Sequence, residues 1–138
     1  YYPMWVSTDG AQLLTAAGTR FRTQDLTYAG TMALPGGSGS SYVNLAWADP
    51  SPDGAHWLVA PAPGTLGTPG DDTFVAEVDS QYLASPTTVP YPPFVHASSS
   101  YPLHGVSVFY DSAGTHKIAV TRIDTSAGAL LDFVVVVL

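Results

Sequence analysis

Ala129-Leu130-Leu131-Asp132-Phe133-Val134-Val135-Val136-Val137-Leu138 is an almost unbroken run of aliphatic and β-branched residues. At about 3.3 Å per residue, a strand of this length spans about 30 Å. From Phe133 onward no polar residue alternates with the apolar ones, so a sheet with one wet face does not suit it. The run predicts a strand at the centre of its sheet, covered on both faces by the chain's own core or by a neighbouring subunit. Left as a free apolar edge, it would template aggregation.

Working back from this strand, the pattern stays extended. Leu103 to Tyr110, the turn Asp111-Ser112-Ala113-Gly114, Thr115 to Ile123 and a second turn, Thr125-Ser126-Ala127-Gly128, lead into it. Two turns of similar chemistry between strand formers describe a three-stranded meander. Near the other end, Tyr2 to Thr8 and Ala11 to Thr15 flank Asp9-Gly10, a short-range hairpin signal. Pro3 places the first strand at a sheet edge, or lies near the start of that strand. Leu26 to Leu34 reads as a half-buried strand with Gly30 inside it, and Pro35 to Ser41 as a flexible loop. Tyr42 to Ala48, His56 to Ala60 and Thr73 to Asp79 are further strands. The stretch from Ser85 to Pro102, stiffened by Pro86, Pro90, Pro92, Pro93 and Pro102, reads as a long loop. No window supports a helix longer than about two turns. The expected fold is all-β: an antiparallel β-sandwich or flattened barrel of about nine or ten short strands, with residues 1–138 forming a single domain.

Composition narrows the function. Charged residues make up 11% of the chain and hydrophobic ones 46%, a balance that points to life inside an assembly. Ten Asp and one Glu face only Arg20, Arg22, Lys117 and Arg122. Four cations cannot track a phosphate backbone, which argues against nucleic-acid binding and against anionic membranes. No run reaches the length of a membrane helix, so no membrane insertion is expected. Tyr1 to Trp5 lacks the basic region and apolar core of a signal peptide. The chain has no Cys, which fits cytosolic synthesis.

Chemistry is sparse. There is no Gly-x-Ser-x-Gly elbow, and Gly37-Ser38-Gly39 lacks the strand-to-helix turn that exposes a nucleophile. His56, His96, His104 and His116 have no metal-ligand spacing. His104 reads as a structural histidine near a strand end, and His116 as solvent-facing. Asp71-Asp72 reads as a polar turn, with cation binding left open. Glu77 and Asp79 share a strand face that looks solvated, which does not suit a glycosidase pair. No enzyme activity, cofactor or metal is expected. Trp5, Trp47 and Trp57 read as core. Tyr82, Tyr91, Phe94 and Tyr101, in or beside the proline-rich stretch, are the candidate contacts for a protein partner or a glycan, the alternative being that they close the end of the sandwich over its core.

The opening, Tyr2-Pro3-Met4-Trp5-Val6-Ser7-Thr8-Asp9-Gly10-Ala11-Gln12-Leu13-Leu14 followed by Arg20-Phe21, resembles the start of small tail-tip and baseplate proteins of long-tailed bacteriophages. That resemblance implies a structural virion component, made in the host cytoplasm and located in the phage tail. Its partners would be other virion proteins, copies of itself and a host cell-surface component. Tyr2 and Trp5 would then be assembly contacts. The competing expectations are a carbohydrate-binding module and a capsid decoration protein.

Overall fold

The computed structural model describes residues 3–34, 44–63, 72–84, 86–96, 98–123 and 133–138. Among these residues the chain is all-β, with thirteen strands in antiparallel sheets, no helix, and no sheet closed into a barrel. A first sheet contains β1 (Met4–Val6), β2 (Gln12–Thr15), β3 (Thr19–Arg22) and β4 (Tyr28–Thr31) in chain order. A second contains β5 (Leu45–Pro50), β6 (His56–Pro61), β7 (Phe74–Asp79) and β8 (Thr87–Pro90), also in chain order. A small hairpin of β9 (Phe94–His96) and β10 (Ser99–Tyr101) follows. A third sheet contains β11 (Leu103–Tyr110), β12 (Lys117–Ile123) and β13 (Phe133–Val137).

The sheets pack face on face with the second in the middle. Along β6, Trp57 and Val59 point into a core shared with Leu14, Met32 and Leu34 of the first sheet and its continuation. The alternate residues Leu58 and Ala60 point into a second core with Val108, Ala119 and Ile123 of the third sheet. Ala76 and Val78 of β7 join the first core and Val75 joins the second. Trp57 to Ala60 are all fully buried, so the sheet wrapped on both faces is the one carrying this short apolar run.

Polar bonds lock the layers. Arg20, 8% exposed, reaches from β3 across to the turn after β7. Its guanidinium donates to the carbonyls of Ala29 (2.7 Å), Gln81 (3.0 Å) and Ser80 and to Oε1 of Gln12 (3.2 Å). Opposite it, Gly30 has φ +134°, a conformation that costs a glycine little, and leaves room for the guanidinium.

The terminal strand departs from the sequence expectation. Among the described residues β13 pairs only with β12 and forms an edge of its sheet. Val134, Val136 and Leu138 pack on the second core, while Phe133, Val135 and Val137 are 64%, 66% and 64% exposed. The protein's own core thus covers one face of the run and leaves the other open. The proline-rich stretch holds β8, β9 and β10, which raises the strand number above nine or ten. Pro90 is accommodated at the end of an outer strand, where no ladder hydrogen bond is lost. Pro35 to Ser41 and the Thr125-to-Gly128 turn lie outside the described residues.

Candidate functional site

Three turns of one design sit side by side along one rim of the stack. Ser7–Gln12 joins β1 to β2, Ser51–His56 joins β5 to β6, and Asp111–His116 joins β11 to β12. In the first, Ser7 Oγ donates to Asp9 Oδ1 (2.6 Å), and the Ala11 and Gln12 N–H groups donate to Asp9 Oδ1 (3.0 Å) and Ser7 Oγ (2.9 Å). The second repeats these bonds with Ser51, Asp53, Ala55 and His56, at 2.6, 3.0 and 2.9 Å. The third uses Asp111 Oδ1 to accept the Thr115 N–H (2.7 Å). Each turn carries a glycine at positive φ: Gly10 at 73°, Gly54 at 74° and Gly114 at 71°. The turns touch: Thr8 Oγ1 donates to the Ser51 carbonyl (2.7 Å), and a Cβ on Gly114 would lie 3.3 Å from Pro52 Cδ. The sequence signal was the repeat Ser-x-Asp-Gly-Ala at positions 7–11 and 51–55, which pattern reading of single strands passes over.

Between the second and third turns lies a cavity of about 350 Å³, lined by Ser51, Pro52, Asp53, His56, Glu77, Tyr110 and Gly114. Glu77 is not the solvated charge its alternation implied. It is half-buried, and it accepts hydrogen bonds from Tyr110 Oη (2.6 Å) and Lys117 Nζ (2.7 Å), which tie β7 to the third sheet. Burial acts to raise its pKa, and the bonds from Lys117 and Tyr110 outweigh this, holding the carboxyl below its ordinary value. The Tyr110 N–H donates to Asp49 Oδ2 (2.9 Å), so one tyrosine is anchored at both ends. Burial pushes the Asp49 carboxyl up against that bond. Asp49 does not line the cavity, so the two carboxyls with divergent pKa values do not share a space in which a substrate could sit between them.

The Glu77 cluster sets a pH dependence. A depressed carboxyl contributes stability in full above its ordinary pKa and loses it as pH falls through the lower folded value. Glu77→Gln is therefore expected to lower stability by about 1–2 kcal/mol at pH 7, with partial exposure discounted. Thermal melts of the variant and the parent should converge between pH 5 and about pH 3. Melting curves that stay equally separated throughout would contradict the assignment.

Other sequence candidates are dispersed. Asp72 is buried, and its Oδ1 lies 2.9 Å from Nδ1 of His104. This pair fulfils the structural reading of His104 and engages the carboxylate that was left open as a cation ligand. Asp71 is outside the described residues. Among the described residues no three His, Asp or Glu side chains converge as a metal site.

Of the four aromatic contact candidates, Tyr82 is 71% exposed, while Phe94 and Tyr101 lean on the second core. Tyr91 takes the core-closing alternative. At 7% exposure it is part of that core, with no ring face free to stack on a sugar. The proline-rich segment folds inward at this point because Tyr91 fills the space above Gly105, where a Cβ would lie 2.5 Å from Tyr91 Oη. Gly105→Ala is expected to cost about 1–3 kcal/mol by overpacking. Tyr91→Phe, which deletes a buried hydroxyl without a partner, should be near neutral and should recover part of that cost in the double variant. Strictly additive losses in urea titrations would refute the contact. Trp5, the candidate assembly contact, packs on the first core and meets Trp47 edge-on (6.3 Å), and Trp47 meets Phe109 (5.5 Å). Tyr2 is outside the described residues.

No family model and no curated protein sequence matches this chain. Its fold is similar to solved structures. One is the β-propeller domain of Cps50 (Swd1) from Myceliophteria thermophila, at TM-score 0.56 and 14% identity over 98% of this chain and 38% of that one. Another is the hydrazine synthase of Kuenenia stuttgartiensis, at TM-score 0.55 and 13% identity over 90% of this chain and 32% of that one. The chain thus spans about a third of the length of either. At such identities the likeness is one of fold alone.

Proposed function

We propose that the chain is a structural, non-catalytic assembly subunit whose working surfaces are the two end faces of its stack. The observation carrying this reading is the open face of β13, with Phe133, Val135 and Val137 each about two-thirds exposed. Covering such side chains contributes about 1.5–3 kcal/mol each, and a contiguous apolar face on a protein with so few charges marks a contact surface. The fold likeness to a propeller domain supports the same reading, because blades of that kind are covered on both sides by neighbours.

The setting we propose is the tail tip of a phage particle, among other virion proteins and near a host surface. It rests on the N-terminal sequence resemblance. The carbohydrate-module alternative is weakened by the burial of Tyr91. Sedimentation equilibrium at micromolar concentration tests the assembly role: self-association that Val135→Lys abolishes, with the circular dichroism spectrum unchanged, is the expected result. A monodisperse parent monomer would overturn it.

A further inference from the structure

The chain has four cations, and three of them sit with an acid. Lys117 meets Glu77 at 2.7 Å, Arg22 lies within electrostatic reach of Asp25, and Arg20, saturated by carbonyls, lies within reach of Asp79. Arg122 of β12 is the exception among the described residues, although acids outnumber cations by eleven to four. It is half-buried, its Nε is fully buried, and no acceptor meets that N–H. Such a donor costs free energy until something accepts from it. Along β12 and β13 no side chain of its face can do so. Arg122 lies opposite Phe133, and the residues sharing that face are Ile118, Val120, Val135 and Val137. On its other side Arg122 lies opposite His104 of β11, whose Nδ1 already engages the buried Asp72 at 2.9 Å. A lone guanidinium thus closes one end of the apolar patch formed by Phe133, Val135 and Val137.

Building on the assembly reading above, we infer that the partner seated on the β13 face is a protein surface presenting an Asp or Glu carboxylate to Arg122, flanked by apolar side chains that cover Phe133 and Val135. The chemistry of the site selects the anion. A carboxylate matches the planar fork of Nε and a terminal nitrogen with parallel bonds, and it satisfies the buried N–H that the chain leaves open. A phosphate carries up to two negative charges, which valine neighbours and a protein of net charge −7 receive poorly. A backbone carbonyl would accept a bond but leave the charge of Arg122 unbalanced, unlike that of the other three cations. Arg20 is the comparison within the molecule: the carbonyls of Ala29, Ser80 and Gln81 accept its N–H groups, and Asp79 still lies in reach. An arginine at the margin of an apolar patch, otherwise free of charges, is the composition of an interface anchor. Affinity there rests on how well the anchor is met rather than on area.

The chain has three arginines, so proton–nitrogen correlation spectra carry three side-chain Nε–H signals, and Arg122→Met identifies the one concerned. Titrating the parent at constant ionic strength with sodium hexanoate, a carboxylate on an apolar body, should shift that signal and the amides of β12 and β13 saturably. Hexanamide, its neutral counterpart, and inorganic phosphate should shift neither. Arg122→Met should weaken hexanoate binding about 10–100-fold. Its thermal melt should stay at or above that of the parent, because no bond inside the chain is lost. A clearly lowered melt would show that the chain itself engages the guanidinium and would overturn the inference, as would equal responses to hexanamide or phosphate. Sedimentation separates this inference from the reading it rests on. An unmoved Nε–H signal in a protein that self-associates would sink the carboxylate anchor and leave the assembly role intact. A shifted signal in a protein that stays monomeric would sink self-association and keep the anchor, its carboxylate then belonging to a different protein.

Discussion

Trp57→Ala is expected to be the most damaging single change, costing about 3–5 kcal/mol. Trp57 has no exposed surface, and it fills the first core between Leu14 of β2 and Val78 of β7. Its removal opens a cavity under a sheet that is packed on its other face as well, so little collapse can relieve it. Against a total stability of about 5–15 kcal/mol for a single domain, this is a large fraction. Differential scanning calorimetry should show a fall in Tm on the order of 10 °C. A fall of only a degree or two would mean that the second sheet is not the buried middle layer.

Arg20→Met should be second in size, at about 2–4 kcal/mol. Methionine keeps an apolar stem of similar reach, but leaves the carbonyls of Ala29, Ser80 and Gln81 without the donors that now satisfy them. Arg20→Lys should restore little, because a single ammonium cannot serve acceptors that a planar fork reaches from several sides. Urea midpoints for the two variants should fall together, well below that of the parent. If lysine were within about 0.5 kcal/mol of the parent, the fork geometry would be irrelevant and the clamp between first and second sheets would need another explanation.

Much of this architecture was legible from local pattern. Asp9-Gly10 turned where expected, Pro3 lies just before an edge strand, and the C-terminal third forms the antiparallel β11–β12–β13 sheet. What misled was the assumption that the longest apolar run must occupy the centre. Hydrophobic continuity says only that both faces need cover and is silent on who supplies it. The run that the protein itself covers is the shorter one at Trp57 to Ala60, flanked in sequence by sheets on both sides. The proline-rich segment misled for a different reason. Prolines exclude a central strand but allow an outer one, and β8 ends at Pro90 in that role. Glu77 and Tyr91 could not be assigned from strand alternation, because their partners, Lys117 and Gly105, lie in another sheet. The repeat at Ser7 and Ser51 was the available signal for stacked units, and it becomes visible only when turns, rather than strands, are aligned.

Hydrogen exchange resolved by residue tests the order of the layers most directly, using the Val135→Lys form so that the end face stays open. The slowest amides should belong to β6 and β7, whose strands have neighbours on either side and packed sheets on either face. Those of β13 should exchange much faster. Slowest exchange in β12 and β13, with β6 and β7 opening earlier, would contradict the stack described here.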